Sequence, residues 1–295
     1  MAAPQSPIGS RRRLGAELRR LRNRTGLTLD EVAEQMTCST SKISRLETGK
    51  GIPKVPDVRE LMRIYGVSSD TEQDMLLRLV HDGREHGWWE PLTDGVQPER
   101  HMMEALSRYV ALENDATAVR SFDMTIVHGL LQTEDYSRSI IAPSLPHHSP
   151  EEINRLIELR SMRQEALHRT DPPPLSMIAV IDEAVLRRTV GGPAVMTGQL
   201  RHLLDVADQP NVEVRVMPFA AGILRAHTGH FVLLEIPKAL GSDVVHIETH
   251  AGERFFEEES DVDVYREIHA NAVESSLSIV DSRAIINRYI VRHGR

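Results

Sequence analysis

The segment from Ser39 to Lys50, STSKISRLETGK, limits the possible folds of the chain more than any other stretch. At about 100° per residue, Ile43 and Leu46 fall on one face of a helix. Ser39 can accept a hydrogen bond from an amide of the first turn, and Gly49 can end the helix. The opposite face then carries small and basic side chains that suit base edges and phosphates. These side chains are Thr40, Ser41, Lys42, Ser44 and Arg45.

An ordinary amphipathic surface helix would show the same pattern, so the neighbouring segments decide its interpretation. Leucines recur at helical spacing before Gly26, and a second helix is predicted to open at Thr28. The chain thus runs helix, glycine turn, helix, four-residue turn, helix, which is the order of a helix-turn-helix domain. The residues predicted to face its core are Leu14, Leu18, Leu21, Val32 and Ala33.

Two motifs, LGAELRRLRNRTGLTLDEVAEQM and TCSTSKISRLETGK, resemble the Xre family of helix-turn-helix regulators over roughly the first 66 residues. The resemblance implies a lambda-repressor-like α-helical domain in which Thr40, Ser41 and Arg45 reach base edges. It also implies an ion pair between Arg22 and Glu47 that ties the first helix to the third. The full set of predicted DNA-binding residues is Arg22, Thr40, Ser41, Lys42, Ser44, Arg45 and Lys50.

Three residues depart from the pattern of that family. Leu29 stands where a phosphate-contacting glutamine is common, so one positioning contact is lost. Thr37 stands at the turn glycine, and we expect a slightly different turn because a β-branched residue resists positive φ. Cys38 stands where a small apolar residue is usual, and we expect it to pack rather than to react.

The charges of the chain are divided unevenly along its length. Residues 1–66 contain 13 Lys and Arg against 7 Asp and Glu, whereas the remainder contains 22 against 36. The resulting +6 attracts polyanions, and the −14 of the remainder is repelled by a phosphate backbone. We therefore expect DNA to dock on the first part of the chain. A solvated basic helix is the alternative reading of the same charges.

Composition and periodicity divide the chain into three parts. We predict a helix-turn-helix domain at residues 1–80, with residues 1–10 disordered, a linker at 81–102, and a larger α/β domain at 103–295. In the last part, helical stretches alternate with Val- and Ile-rich runs, which is typical of an α/β layer. The helical stretches lie around 103–113, 151–168, 193–207 and 261–291, and the strand-like runs are SMIAVI, VEVRVM, HFVLLEI and DVVHIE.

The chain carries no sign of export or of a membrane segment. Its single cysteine excludes an internal disulfide, which fits a reducing cytoplasm. Three arginines at residues 11–13 are followed by the amphipathic LGAEL, and no apolar run approaches membrane-spanning length. We therefore expect a cytoplasmic, nucleoid-associated protein with no membrane contact.

The second domain resembles the C-terminal domain of the actinobacterial WhiJ-like, antitoxin-like Xre regulators. The motifs that carry the resemblance include YVALENDATAVRSF, HGLLQTEDYSR, LRSMRQEAL and DEAVLRRTVGGPAVMTGQLRHLL. His128 and His246 depart from it, standing where that group has a proline and an aromatic residue. The resemblance implies binding of a small protein partner, encoded nearby, or of a ligand. The predicted residues for this are Glu113, Arg120, His128 and Gln132, with Trp88 and Trp89 of the linker, which could instead clamp the linker onto a domain.

An enzymatic reading rests on one strand. Alternation along it puts His246, Glu248 and His250 on one face, where they could bind a metal. An ordinary strand with one exposed face also has polar residues at every second position. In addition, the motifs G-x-S-x-G and H-E-x-x-H are both missing from the sequence. We therefore expect no cofactor, no bound metal and no enzyme activity, and keep a DNA-tethered, metal-dependent enzyme as the alternative. A structural adaptor with a degenerate helix-turn-helix is a third possibility.

One recognition helix reads only a few base pairs, whereas a twofold pair reads two half-sites about one helical turn apart. We therefore expect a homodimer on a double-stranded DNA operator. Because the sequence shows no heptad seam, we assign the dimer contact to the second domain.

Overall fold

The computed structural model describes residues 6–94, 106–249 and 252–294. The chain divides into two compact units. The smaller unit contains Ala3–Trp88 and the segment Ile236–Ser242, and the larger consists mainly of Trp89–Glu235 and Asp243–Arg295. As expected, the smaller unit is helical and the larger is an α/β domain.

The helical unit is built from five helices, whose bounds are α1 Pro7–Thr25, α2 Leu29–Gln35, α3 Thr40–Glu47, α4 Val55–Ile64 and α5 Asp70–Asp82. Local caps define their ends. Thr28 and Glu31 form a capping box at the start of α2, and Ser39 accepts a hydrogen bond from Lys42 N at the start of α3. Gly26 ends α1 in the left-handed conformation, with φ 74°.

The prediction that residues 1–10 are disordered is wrong for residues 6–10. Ser6 accepts a hydrogen bond from Gly9 N at 2.9 Å, and Pro7 occupies the first turn, where its fixed φ and missing N–H favour a helix. The helix therefore begins before the three arginines. Residues 1–5 lie outside the described part of the chain.

The core of the helical unit contains every leucine, valine and alanine that the sequence assigned to it. Cys38 packs against this core, as expected. Thr37 takes a φ of 50°, so the β-branched residue adopts the left-handed turn conformation despite its steric cost. The buried residues of this core are Leu14, Leu18, Leu21, Val32, Ala33, Ile43, Leu46, Val58, Leu61, Met62, Tyr65, Val67, Leu76, Leu79 and Val80.

The larger unit contains a six-stranded mixed sheet of order β3-β2-β1-β4-β5-β6. Its strands are β1 Ala118–Asp123, β2 Ser176–Asp182, β3 Val212–Met217, β4 Phe231–Glu235, β5 Val244–Thr249 and β6 Gly252–Phe256. The β1–β2 and β2–β3 pairs are parallel. The β1–β4, β4–β5 and β5–β6 pairs are antiparallel.

The helices of the larger unit include short and long segments around this sheet. They are α6 Glu90–Thr93, α7 Leu106–Asp115, α8 Glu134–Ser144, α9 Pro150–Gln164, α10 Glu183–Arg187, α11 Pro193–Val206, α12 Glu259–Ser275 and α13 Ile279–His293. The helical stretch predicted around 261–291 is two helices, because the chain leaves α12 at Ser276 and Ser278 caps α13. Within the described residues, no helix is long and apolar enough to cross a membrane.

Candidate nucleic-acid interface

Helix α3 buries one face and presents the other, as its spacing predicted. Ile43 and Leu46 are buried in the core of the helical unit. Ser41 and Arg45 are exposed on the opposite face, flanked by half-exposed Thr40, Lys42 and Ser44. The hydroxyl, ammonium and guanidinium groups of this face are the donors that base edges and phosphates accept.

A buried ion pair fixes α3 against α1. The Arg22 guanidinium donates to both carboxylate oxygens of Glu47, at 2.7 and 2.9 Å, and its third nitrogen donates to Leu27 O at 2.9 Å. The hydrogen bond to Glu47 raises the pKa of Arg22 above its usual value. With these donors directed inward, a contact of Arg22 with DNA stays a prediction.

Gly15 lets the two helices approach closely, a feature that the sequence analysis missed. A Cβ at this position would lie 2.6 Å from the carbonyl oxygens of Leu46 and Glu47. Any larger residue would push α1 away from the end of α3. A glycine inside a leucine-rich helical pattern, where it is otherwise unfavourable, was the available signal.

Two of the predicted DNA contacts are already engaged with acidic side chains. The Lys42 ammonium lies 2.8 Å from Asp57 Oδ1, and the Thr40 hydroxyl donates to Asp30 Oδ1 at 2.6 Å. Lys50 is exposed. Among the described residues, the Arg45 side chain has neither a hydrogen-bond partner nor an ion-pair partner. Arg45 is therefore the charged member of the α3 face whose donors are open to a ligand.

The Lys42–Asp57 ion pair is expected to weaken DNA binding, and a substitution of Asp57 tests this. Asp57→Asn removes the carboxylate that competes with phosphate for Lys42, so we expect tighter binding to operator and random DNA alike. The salt slope of binding should change by well under one unit, because Lys42 contacts phosphate in both proteins. Fluorescence anisotropy across a salt series measures both quantities. The control is Asp74→Asn, which makes the same charge change at an exposed position of α5. If both variants bind DNA more tightly by the same factor, the effect comes from net charge and not from the release of Lys42.

In the larger unit, three of the predicted partner- or ligand-binding residues, Glu113, His128 and Gln132, are buried and hydrogen-bonded within the domain. Glu113 accepts two hydrogen bonds from Arg163, at 2.7 and 2.8 Å, and both side chains are buried. Burial acts to raise the pKa of Glu113, but the Arg163 guanidinium offsets it and holds that pKa below its usual value. No sequence signal indicated the role of Arg163, because the Glu113–Arg163 pair joins residues that are 50 positions apart in the chain.

The tautomer of His128 follows from its neighbours. Leu130 N donates to His128 Nδ1 at 3.2 Å, so the ring proton lies on Nε2, which is 3.3 Å from the Tyr109 oxygen. The Tyr109 oxygen then accepts a hydrogen bond from the Nε2–H of His128. Burial lowers the pKa of His128 to about 4, so the ring is neutral near pH 7.

Gln132 is also buried, and its side chain has its own set of hydrogen-bond partners. Its Oε1 accepts hydrogen bonds from Arg160 at 2.6 Å and from Ser137 at 2.9 Å. Burial, and then the nearby Arg163 charge, lower the pKa of Arg160 to about 10. The side chains of Glu113, His128 and Gln132 thus all have internal hydrogen-bond partners, and Arg160, which donates to Gln132, is half-exposed.

The remaining predicted residues lie elsewhere. Arg120 on β1 forms an ion pair with Glu235 at the end of β4. Trp89 is buried, whereas Trp88 is 37% exposed. The structure therefore does not bring all six predicted residues into one site.

The strand proposed as a metal site is only partly described. His246 on β5 is buried, and its Nε2 lies 2.8 Å from Glu253 Oε2 on β6, while Glu248 is exposed. The His246 ring also packs against Tyr109 and Phe255. His250 lies outside the described residues. In the ranges that are described, no group of three His, Cys, Asp or Glu side chains could hold a metal ion, and the three-ligand site stays an untested alternative.

Comparisons with protein families agree with both units. Residues 13–76 match the family described as helix-turn-helix domain, so this is a helix-turn-helix protein, a class that suggests DNA binding. Residues 106–288 match a domain of unknown function, DUF5753. Because this match covers more than half of the 295 residues, the chain belongs to the DUF5753 family. Searches of curated proteins and of solved structures found no match.

Proposed function

We propose that the protein is a cytoplasmic, sequence-specific transcriptional regulator that binds a double-stranded DNA operator as a homodimer through α3. In this proposal the DUF5753 domain is not an enzyme. It binds a small protein partner or a ligand, and this binding adjusts operator occupancy, as the resemblance to antitoxin-like Xre regulators implies.

The observation that carries the proposal is the open guanidinium of Arg45 on a helix that is rigidly held. Arg45 is exposed at the centre of the donor-rich face of α3. The Arg22–Glu47 pair fixes the C-terminal end of that helix, two residues from Arg45, to α1. A guanidinium fork placed in this way can donate to guanine O6 and N7 at once, which is the commonest base-specific contact in the major groove.

Selection from a random DNA pool with the full chain tests this function. We expect enrichment of a sequence containing two related half-sites about one helical turn apart. Binding to that sequence should weaken steeply with salt, because phosphate contacts release counterions. Recovered DNA with no shared sequence, or binding that ignores salt between low and moderate concentration, would overturn the proposal.

Arg45→Ala separates base recognition from backbone contact. We expect a loss of about 1–3 kcal/mol on the selected operator and little change on random duplex, because a bidentate base contact discriminates between sequences. Alanine keeps the helix, and Arg45 makes no packing contact with the core. Salt titrations on operator and scrambled duplex measure the effect. Equal losses on both duplexes would assign Arg45 to the phosphate backbone instead.

Lys42→Ala serves as the comparison on the same helix. We expect it to weaken operator and random DNA equally and to lower the salt slope by about one unit. The loss of Lys42 also leaves the Asp57 carboxylate without its partner, at the edge of the same face. A selective loss on the operator would show that Lys42 reads bases.

A further inference from the structure

Helix α13 exposes a stripe of small and apolar side chains. Val280 and Val291 are 75% and 57% exposed. They are eleven positions apart, which is about three turns at 3.6 residues per turn, so they lie in one line along the helix. Ala284 and Asn287 lie on the same line and are exposed as well. The opposite face packs into the domain through Ser282, Ile285, Ile286 and Tyr289.

The central residues of the stripe allow a close approach. Ala284 is small, and the Asn287 amide already donates to the Arg283 carbonyl at 3.0 Å, so covering Asn287 leaves that donor satisfied. Two valines with a small residue between them expose apolar surface. Burying this surface against a partner lowers the free energy of the complex.

The two flanks of the stripe differ in charge and in pairing. On one flank, Arg283 is held within its own domain, 2.9 Å from Asp208 and hydrogen-bonded to Leu204 O. On the other flank lie Asp281 near the start of the helix, and Arg288 and Arg292 near its end. Among the described residues, neither of these two arginines has an ion-pair partner; Arg292 lies 5.8 Å from the Tyr289 ring.

We infer that this stripe binds the same stripe of a second copy of the chain, with the two α13 helices antiparallel about a twofold axis. Val280 then lies opposite the partner's Val291, and Ala284 lies opposite the partner's Asn287. In an antiparallel pair equivalent flanks meet, so Asp281 faces the partner's Arg288 and Arg292. This occurs twice by symmetry.

A parallel pair lacks this complementarity. It would place the flank carrying Arg288 against the flank carrying Arg283, which is already paired with Asp208. Asp281 would then face only the partner's Arg283, whose charge Asp208 already offsets, and Arg288 and Arg292 would face no acidic side chain of the partner's α13. The charge pattern therefore selects the antiparallel orientation.

The size of the surface sets the expected strength of the dimer. A 15-residue helix is about 22 Å long, and a pair of such helices buries less than the roughly 1,200 Å² of a standard interface. We therefore expect a micromolar dimer in solution that two adjacent half-sites strengthen by raising the effective concentration. The inference deepens the proposed function, since it supplies the contact for the homodimer.

Sedimentation of the full chain over a concentration series tests the surface. We expect reversible dimerisation of the wild type, and at least a tenfold weaker dimer for Val280→Glu, because a carboxylate would be buried against apolar side chains. A carboxylate in the first turn favours the helix, so folding should survive. The control is Ile279→Glu, an exposed apolar residue on a different side of α13, which should leave the dimer unchanged. A monomeric wild type, or equal weakening by both variants, would overturn the inference.

Cross-linking tests the orientation. In a Cys38→Ser background, Val280→Cys and Val291→Cys are made separately and then mixed under mild oxidation. An antiparallel pair should give a disulfide in the mixture and little in either variant alone. A disulfide in each variant alone, with no gain on mixing, indicates a parallel pair and overturns the proposed arrangement.

The failure of this inference is distinguishable from the failure of the proposed function. If the chain is monomeric but still selects one DNA sequence, the inferred α13 contact is wrong, but the proposed sequence-specific DNA binding is supported. If Val280→Glu abolishes a dimer and the selection recovers no sequence, the contact stands and the function is wrong.

Discussion

Arg22→Ala is expected to lower the unfolding free energy of the helical unit by about 3–5 kcal/mol, because it leaves the Glu47 carboxylate buried without its partner. The Glu47 side chain is 3% exposed and the Arg22 side chain 13%. A domain of this kind has only about 5–15 kcal/mol of stability in total. A large share of the molecules should therefore unfold on mild heating, and DNA binding should be lost with the fold.

The size of this effect depends on how far other groups can replace Arg22. Arg19 Nε lies 3.8 Å from the same carboxylate, but its side chain is more than half exposed, so its screened charge offsets only part of the loss. The double variant Arg22→Met with Glu47→Leu should recover much of the stability, since it removes both buried charges. Urea unfolding followed by circular dichroism measures all variants.

The matched control is Arg20→Ala on the same helix. Arg20 pairs with Glu17 and Glu72, and its side chain is 52% exposed. Exposed pairs contribute about 1 kcal/mol or less. If Arg22→Ala lowers the free energy of unfolding no more than Arg20→Ala does, the Arg22–Glu47 pair does not fix α3. Arg45 would then not be held in place by that pair.

The helical unit was predictable because its signals are local. Thr28 with Glu31 and Ser39 with Lys42 N are contacts between residues three apart, and such caps can be read directly from spacing. The start of α1 was missed although Ser6 and Pro7 are a standard opening for a helix. The Ser6 cap is a local signal, but the apolar residues that would mark a helical face begin only at Ile8 and Leu14, so the first turn has little periodicity of its own.

The sheet was predictable only where its strands are apolar. β2, β3, β4 and β5 fall on the Val- and Ile-rich runs, whereas β1 and the edge strand β6 were not predicted. β1 lies in the middle of the sheet. Its sequence, AVRSFD, carries three polar residues at positions 120, 121 and 123. Arg120 pairs with Glu235, and Ser121 pairs with Asp123, so these polar groups are satisfied after folding. No pattern within six residues can show that.

The candidate sites follow the same rule. The donor-rich face of α3 follows from helical periodicity, and the structure places it as expected. The engagement of Lys42 by Asp57 and of Glu113 by Arg163 depends on segments 15 and 50 residues apart, which only the tertiary fold brings together. Sequence therefore indicates which side chains can act, and the fold determines which of them are free.

Asp123→Asn is expected to stabilise the larger unit at pH 8 and to change it little near pH 4. Asp123 lies at the end of β1 and is buried, with one hydrogen bond from Ser121 Oγ at 2.6 Å. Burial raises its pKa to about 7, against an ordinary value near 3.8. Between about pH 4 and pH 7 the folded state thus keeps a proton that the unfolded chain has released.

The sign of the pH dependence follows from proton counting. Between about pH 4 and pH 7 the folded protein binds more protons at Asp123 than the unfolded chain does, so the stability contributed by this group falls as the pH rises. Above pH 7 the full cost of a buried carboxylate is present, which is about 4 kcal/mol for three pKa units. Asparagine has a similar shape and still accepts from Ser121, but it carries no charge to bury.

The measurement is the difference in unfolding free energy between Asp123→Asn and the wild type, by urea unfolding at several pH values. Burial lowers the pKa values of His128 and His269 to about 4, so these groups destabilise the fold in acid, but they are common to both proteins and cancel in the difference. Ser121→Ala provides the matched comparison. It removes the hydrogen bond that favours the carboxylate, and should therefore raise the pKa of Asp123 further and widen its pH range. A difference that stays constant from pH 4 to pH 8 would show that Asp123 titrates normally, and that its side chain reaches solvent.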